Sequence, residues 1–315
     1  MDYNIFIADM YIGQELEGFY ILKDAAAKTT AAGKPFLSGV LSDITGSVEM
    51  KVWDYTGPVG ASDIGKVVKI RGVVTDFKGA LQVNVSRIRL AAATDNYDTA
   101  SLVPAAPIDP EAELQEVYAL VAQIGDSEYQ SVCRTMLERH IDEFRTIPAA
   151  KSVHHGFTSG LLMHTSNMLK LADFLAGLYP DALDRDLLLS GTLLHDFAKA
   201  REFEFSELGM VTDYTVNGNL LGHLVMGAQE ICDVCRELNV SEKKPVLLQH
   251  MILSHHGKPE FGAAVIPQCA EAELLYYIDC IDSRMEIYAE TLATLPEGSF
   301  SPRIFALEKR IYNHG

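Results

Sequence analysis

The chain has 315 residues, 48% of them hydrophobic, and a formal net charge of −17. That length suits about two domains of roughly 100 to 200 residues, with apolar material enough for a core in each. The acidic balance excludes a protein that coats nucleic acid by general phosphate neutralisation.

The charge is uneven: Met1 to Asp95 holds ten Lys/Arg against eleven Asp/Glu, so nearly all of the excess lies beyond it. It reads as solvated surface, which bound divalent cations would partly offset. The opening Met1-Asp2-Tyr3-Asn4-Ile5-Phe6 has neither the basic start nor the apolar run of a secretory leader. No stretch reaches the about 18 uninterrupted apolar residues of a membrane span, so a cytoplasmic protein without a membrane partner is expected.

Short β-branched segments follow between turn signals: Phe36 to Leu41, Gly46 to Trp53, Val67 to Val74 and Leu81 to Val85. Asp43-Ile44-Thr45-Gly46 and Asp76-Phe77-Lys78-Gly79 mark turns between them. Closure of such strands predicts an antiparallel barrel of about five strands, for which the oligonucleotide-binding fold fits best. Trp53, Tyr55 and Phe77 are candidate stacking platforms, with Lys51, Lys69, Arg71, Lys78, Arg87 and Arg89 as candidate phosphate contacts. This pairing of residue types suits a single strand. An aromatic on a barrel strand serves equally well as core, and that alternative stays open for Trp53. The stretch from 95 to 110, with Asn96, Asp98, Pro104, Pro107 and Pro110, is rich in breakers and reads as a linker. The expected domains are therefore a barrel at 1–94, a linker at 95–110 and a helical domain at 111–315.

The helical pattern begins with Glu111 to Ile124 and Glu128 to Glu143. In Ser159 to Leu178, His164 shares a broad apolar face with Leu161, Leu162, Met168 and Leu169, where a single histidine is ordinarily a satisfied core residue. The apolar run from Leu187 ends in His195-Asp196, an imidazole and a carboxylate that together suit a divalent transition metal and are rarely buried without a partner. His223 follows Gly222 at a helix start, and His255-His256-Gly257 closes the helix Pro245 to Ser254. Asp279 and Asp282 lie three residues apart on one helix face, so either carboxylate is a candidate ligand. That all of these groups are independently inert is improbable. The five cysteines, Cys133, Cys232, Cys235, Cys269 and Cys280, need no partners in a reducing compartment, and Cys232-x-x-Cys235 lacks a second pair and reads as plain helix.

The succession His164, His195-Asp196 and Asp279, with Lys199 completing a His-Asp-x-x-Lys motif, resembles the HD phosphohydrolase superfamily. The run Pro148 to Thr165 behind a small barrel is similar to the YhaM-type 3'-5' exoribonucleases of bacteria, and the likeness extends from about Gly13 to about Tyr312. The resemblance implies a multidomain protein, a small all-β oligonucleotide-binding barrel followed by an all-α HD-domain bundle. It implies a first metal at His164, His195, Asp196 and Asp279 and a second at His223, His255 and His256, with Asp196 bridging. Two-metal hydrolytic sites hold their ions roughly 3.5 to 4 Å apart. Lys199 would hold a phosphoryl oxygen or assist the leaving group, and His155, beside His154, would contact the substrate phosphate. A ligand set rich in histidine favours manganese, iron, cobalt or zinc over magnesium, and the resemblance points to manganese. The implied activity is exonucleolytic cleavage of single-stranded RNA to nucleoside 5'-monophosphates, with single-stranded DNA left open as a substrate and a homo-oligomer expected. Two alternatives stand beside it: a phosphodiesterase for small or cyclic nucleotides, and a single-stranded DNA-binding, replication-associated protein.

Overall fold

The computed structural model describes residues 2–103, 105–149, 157–206 and 208–315. It resolves into two compact units, one of Met1–Ala105 with Phe205–Thr212, the other of Ala106–Glu204 with Asp213–Gly315.

In the first unit a two-residue strand β1 (Asp2–Tyr3) pairs with β2 (Glu15–Thr29), followed by β3 (Pro35–Asp43), β4 (Gly46–Trp53), β5 (Val67–Phe77) and β6 (Ala80–Leu90). The strand order is β1-β2-β3-β4-β6-β5, and β5 returns to pair with β2, so the last five strands close a barrel without a free edge. β4 and β6 run parallel, while the other pairs in the closed barrel are antiparallel. Alternation sends Val48, Met50 and Val52 of β4 inward and leaves Glu49 and Trp53 outside. Lys78 and Gly79 both take positive φ, +58° and +85°, as the two-residue hairpin between β5 and β6 requires.

The sequence pattern shows four strands and misses β2, the longest. Its residues Gly18 to Leu22 are buried without alternation. Leu16, Tyr20 and Leu22 enter the barrel core, whereas Phe19 and Ile21 are covered on the other face by Val67 and Leu102, with Leu208 and Met210 packed against them. A strand buried on both faces carries no period of two. The stretch expected as a linker is partly structured for a related reason. Asp95 accepts from both terminal nitrogens of Arg89, at 2.6 and 2.8 Å, Tyr97 stacks on Phe19 with ring centroids 4.9 Å apart, and Leu102 is buried. The breakers set turns there, but three anchored side chains keep residues 95–103 with the barrel.

The second unit holds α1 (Pro110–Ala122), α2 (Ser127–Arg139), α3 (Ile141–Thr146), α4 (Gly160–Leu178), α5 (Arg185–Leu194), α6 (Lys199–Glu202), α7 (Val216–Glu237), α8 (Lys243–Ser254) and α9 (Ala270–Thr294). Asp109, Asp126 and Asp184 cap α1, α2 and α5 by accepting two backbone amides each. The helix expected from Glu128 to Glu143 breaks at His140 into α2 and α3. Between α6 and α7 the chain makes a hairpin, β7 (Phe203–Phe205) and β8 (Val211–Tyr214), within the stretch expected to be helical throughout. α4 packs on α1, α3, α5 and α9, and α5 on α2, α8 and α9, so the buried face of Leu187 to Leu194 lies at the middle of the unit. No helix among the described residues is long and apolar enough to cross a membrane.

Candidate metal centre

Asp196 is the hub of the site. It and His195 lie in the turn that follows α5, not within the helix, and both are buried. His255 and His256 occupy the same position at the end of α8. These two helix ends share one local device. Carbonyls of the last turn have no partner inside a helix, and here one of them fixes an imidazole. His195 Nδ1 lies 2.8 Å from the Thr192 carbonyl and His255 Nδ1 lies 2.8 Å from that of Ile252. Each Nδ1 therefore carries the proton and donates it, leaving Nε2 as a bare lone pair.

Carboxylates fix the remaining pair. His164 of α4 directs Nδ1 to Asp282 Oδ2 at 2.7 Å, and His223 of α7 directs Nδ1 to both oxygens of Glu202 at 3.0 Å. This arrangement also separates the two aspartates of α9. Asp282 meets the outer nitrogen of His164, whereas Asp279 Oδ1 stands 3.6 Å from its inner Nε2.

The inward-facing atoms are acceptors facing acceptors. His164 Nε2 and His195 Nε2 are 3.3 Å apart, and Asp196 Oδ2 is 3.1 Å from the latter. Asp196 Oδ1 stands 3.5 Å from His223 Nε2 and 3.8 Å from His255 Nε2. Asp196 Oδ1 and His223 Nε2 are both buried without a hydrogen-bond partner, as is Nδ1 of His256. Buried lone pairs left unpaired are unfavourable unless a cation lies among them. Two clusters have ligand atoms within 4.8 Å of one another, His164 with His195 and Asp196, and His223 with His255 and His256. Nitrogen and carboxylate donors with tied outer nitrogens fit divalent transition ions.

The local electrostatics favour a positive charge at the middle of the site, whether a metal ion or a proton on His195 Nε2. Burial pulls the His195 imidazole down, but the Asp196 charge outweighs it and holds the group above its ordinary value. Against its own burial, Asp196 is held well below the usual carboxylate range by His195 and Lys199. Burial, reinforced by neighbouring imidazoles, pushes His255 well down and His256 to about 4, so both stay neutral and able to ligate. Lys199 does not face open space. Its Nζ lies 2.6 Å from Asp196 Oδ2, which raises its pKa against the effect of burial. His155, with His154, lies outside the described residues.

The barrel carries the other candidate residues. Trp53 is half exposed, packs against Phe36 at 5.0 Å and donates its indole N–H to Asn84 at 3.3 Å. Lys51 Nζ lies 4.4 Å from the ring centre of the exposed Phe77 and 5.5 Å from that of Trp53, and Lys78 Nζ lies 5.4 Å from Phe77. Lys69 is taken up by Glu17 at 2.9 Å and Arg89 by Asp95. Arg71 and Arg87 stand opposite each other on β5 and β6 and line a groove of about 490 Å³ with Tyr55, Ser86 and Glu17. Lys51, Trp53, Lys78, Lys69 and Arg71, expected as one set, fall into two groups. In the barrel they form an aromatic strip and a basic groove.

Glu202 is absent from the sequence-based set. A possible signal was its place three residues beyond Lys199 and six beyond Asp196 on a short helix, with a glycine directly before His223.

Residues 161–284 match the HD domain family model. The barrel is similar to the OB domain of Ta0387 from Thermoplasma acidophilum, at 16% identity over 31% of this chain and 92% of that one, with a TM-score of 0.25. It is also similar to the second OB-fold domain of replication protein A from Methanococcus maripaludis, at 17% identity over 30% of this chain and 99% of that one, with a TM-score of 0.23.

Proposed function

We propose, from the HD domain of a metal-dependent hydrolase that the helical region carries, that this chain is a 3'-5' exoribonuclease using two divalent transition ions. The observation that carries the reading is the set of bare imidazole nitrogens turned on the two oxygens of Asp196. His164, His195, Asp196 and Asp279 would hold one ion, and His223, His255 and His256 the other, with Asp196 serving both and manganese favoured. When bound, such ions supply Lewis acidity toward a phosphodiester and acidify water.

The protein's own groups do the positioning. Thr192, Ile252, Asp282 and Glu202 hold the four ring protons on the outer nitrogens, so the inner nitrogens need no reorientation when an ion arrives. Lys199 keeps Asp196 ionised and offers a positive charge to a non-bridging phosphoryl oxygen. The barrel supports a single strand as the substrate. Exposed Trp53 and Phe77 with Lys51 and Lys78 supply stacking and charge, and Arg71 and Arg87 add two cations that meet no acidic side chain within ion-pair distance among the described residues.

The test is a single-stranded RNA labelled at its 5' end, incubated with the protein and Mn²⁺. The expected result is stepwise shortening with release of nucleoside 5'-monophosphates, lost in His195→Ala. Intact RNA alongside hydrolysis of a cyclic dinucleotide would establish the small-nucleotide reading in its place. A matched DNA strand reports whether the 2'-hydroxyl is read.

A further inference from the structure

His195 and His255 are each oriented by their own helix end. His223 has no such local device. Its orientation comes from Glu202, a buried side chain 21 residues earlier whose carboxylate, among the described residues, hydrogen-bonds to this one residue. Oε1 accepts the backbone N–H of His223 at 3.0 Å, and both oxygens lie 3.0 Å from its Nδ1. The backbone bond depends on Gly222, whose φ of +71° and ψ of 163° interrupt α7 and free the next amide for an acceptor from outside the helix. The main chain of Glu202 is itself fixed. Its carbonyl accepts the Thr215 amide at 2.9 Å, and a Cβ on Gly218 would stand only 2.1 Å from the same oxygen.

We infer that Glu202 is the positioning residue of the second ion seat, fixing His223 as a donor and thereby deciding whether the centre holds two ions or one. The inference rests on the two-ion reading above. The first seat, at His164, His195 and Asp196, does not draw on Glu202, because its imidazoles are tied to Asp282 and Thr192. A carboxylate partner also makes an imidazole a stronger donor than a carbonyl partner does.

The experiment uses the full chain, stripped with a chelator and titrated with Mn²⁺ by calorimetry, with metal content measured after desalting and thermal unfolding as the check on folding. The wild type takes two ions. Glu202→Ala takes one ion with nearly unchanged affinity, and the second binds ~10- to 100-fold more weakly or not at all. Glu202→Gln keeps a neutral acceptor for the backbone amide, so it melts close to the wild type yet shows the same selective weakening. Asp282→Ala shows the opposite pattern, weakening the first ion. If both Glu202 variants take two ions within twofold of wild-type affinity, Glu202 does not have this role. A wild type that takes fewer than two ions overturns the two-ion reading itself, and the inference with it. Should the alanine variant fail to fold, the glutamine variant decides.

Discussion

Gly222→Ala separates backbone conformation from packing at the centre. A Cβ built on Gly222 meets nothing nearer than Glu202 Oε1 at 3.7 Å, an ordinary contact, so the substitution creates no overlap. The penalty is conformational. At φ +71° and ψ 163° the backbone lies in a region essentially reserved for glycine, where another residue costs ~1 to 3 kcal/mol. For a domain of this size that corresponds to a fall in melting temperature of roughly 2 to 4 °C per kcal/mol. If the helix relieves the strain by straightening, the His223 amide leaves Glu202 and the imidazole turns from Asp196, so metal binding weakens as well. Gly177→Ala is the contrasting substitution, because Gly177 lies within α4 and a Cβ there meets nothing within 4 Å. Alanine there, one residue from the helix end, is expected to stabilise by ~0.4 to 1 kcal/mol. Circular-dichroism melts of both variants, with and without Mn²⁺, give the comparison. A Gly222→Ala protein that melts with the wild type and keeps its metal titration would refute the reasoning.

Asp196→Ala should abolish metal retention. It should also destabilise the metal-free protein by ~1 to 3 kcal/mol, because Lys199, whose side chain is only partly accessible, loses its carboxylate partner; metal analysis and urea unfolding measure the two effects separately. Away from the centre, Glu230 accepts from His140 at 2.7 Å and from Arg201 at 2.5 Å, and despite its burial these partners hold its carboxyl below the ordinary value of 4.5. A depressed carboxyl contributes stability above its unfolded pKa and loses it as pH falls through the folded one, so acid unfolding below about pH 4.5 should be less steep in Glu230→Gln. In the barrel, Trp53→Ala should weaken single-strand binding by ~1 to 3 kcal/mol in fluorescence anisotropy if a base stacks there. Replacing both Arg71 and Arg87 by Gln should reduce the slope of log affinity against log salt by about 1.4, the counterion release of two single-strand phosphates; an unchanged slope would remove the basic groove from the binding path.

The residues that converge on Asp196 were legible because histidine and aspartate announce metal chemistry by type. What orders them was not. Thr192 and Ile252 act through backbone carbonyls, which leave no mark in the sequence, and Glu202 acts across a hairpin that the helical pattern concealed. Asp279 and Asp282 could not be told apart on a helical wheel, since the distinction is which nitrogen of His164 each one meets. In the barrel, β4 and the β5–β6 turn were readable from alternation and from Lys78-Gly79. β2 was not, because Phe19 and Ile21 are covered on the face where polar residues were expected.

That cover has a consequence for how the protein is made. Leu208 and Met210, which lie against the Phe19 and Ile21 cluster, belong to the stretch Phe205–Thr212 and are synthesised about 100 residues after the continuous part of the unit ends at Ala105. At roughly 5 to 20 residues per second, the nascent barrel waits on the order of 5 to 20 s before these two side chains complete the cover that Val67, Tyr97 and Leu102 begin. A fragment ending at Ala105 would lack Leu208 and Met210 and leave their share of that face exposed to water permanently.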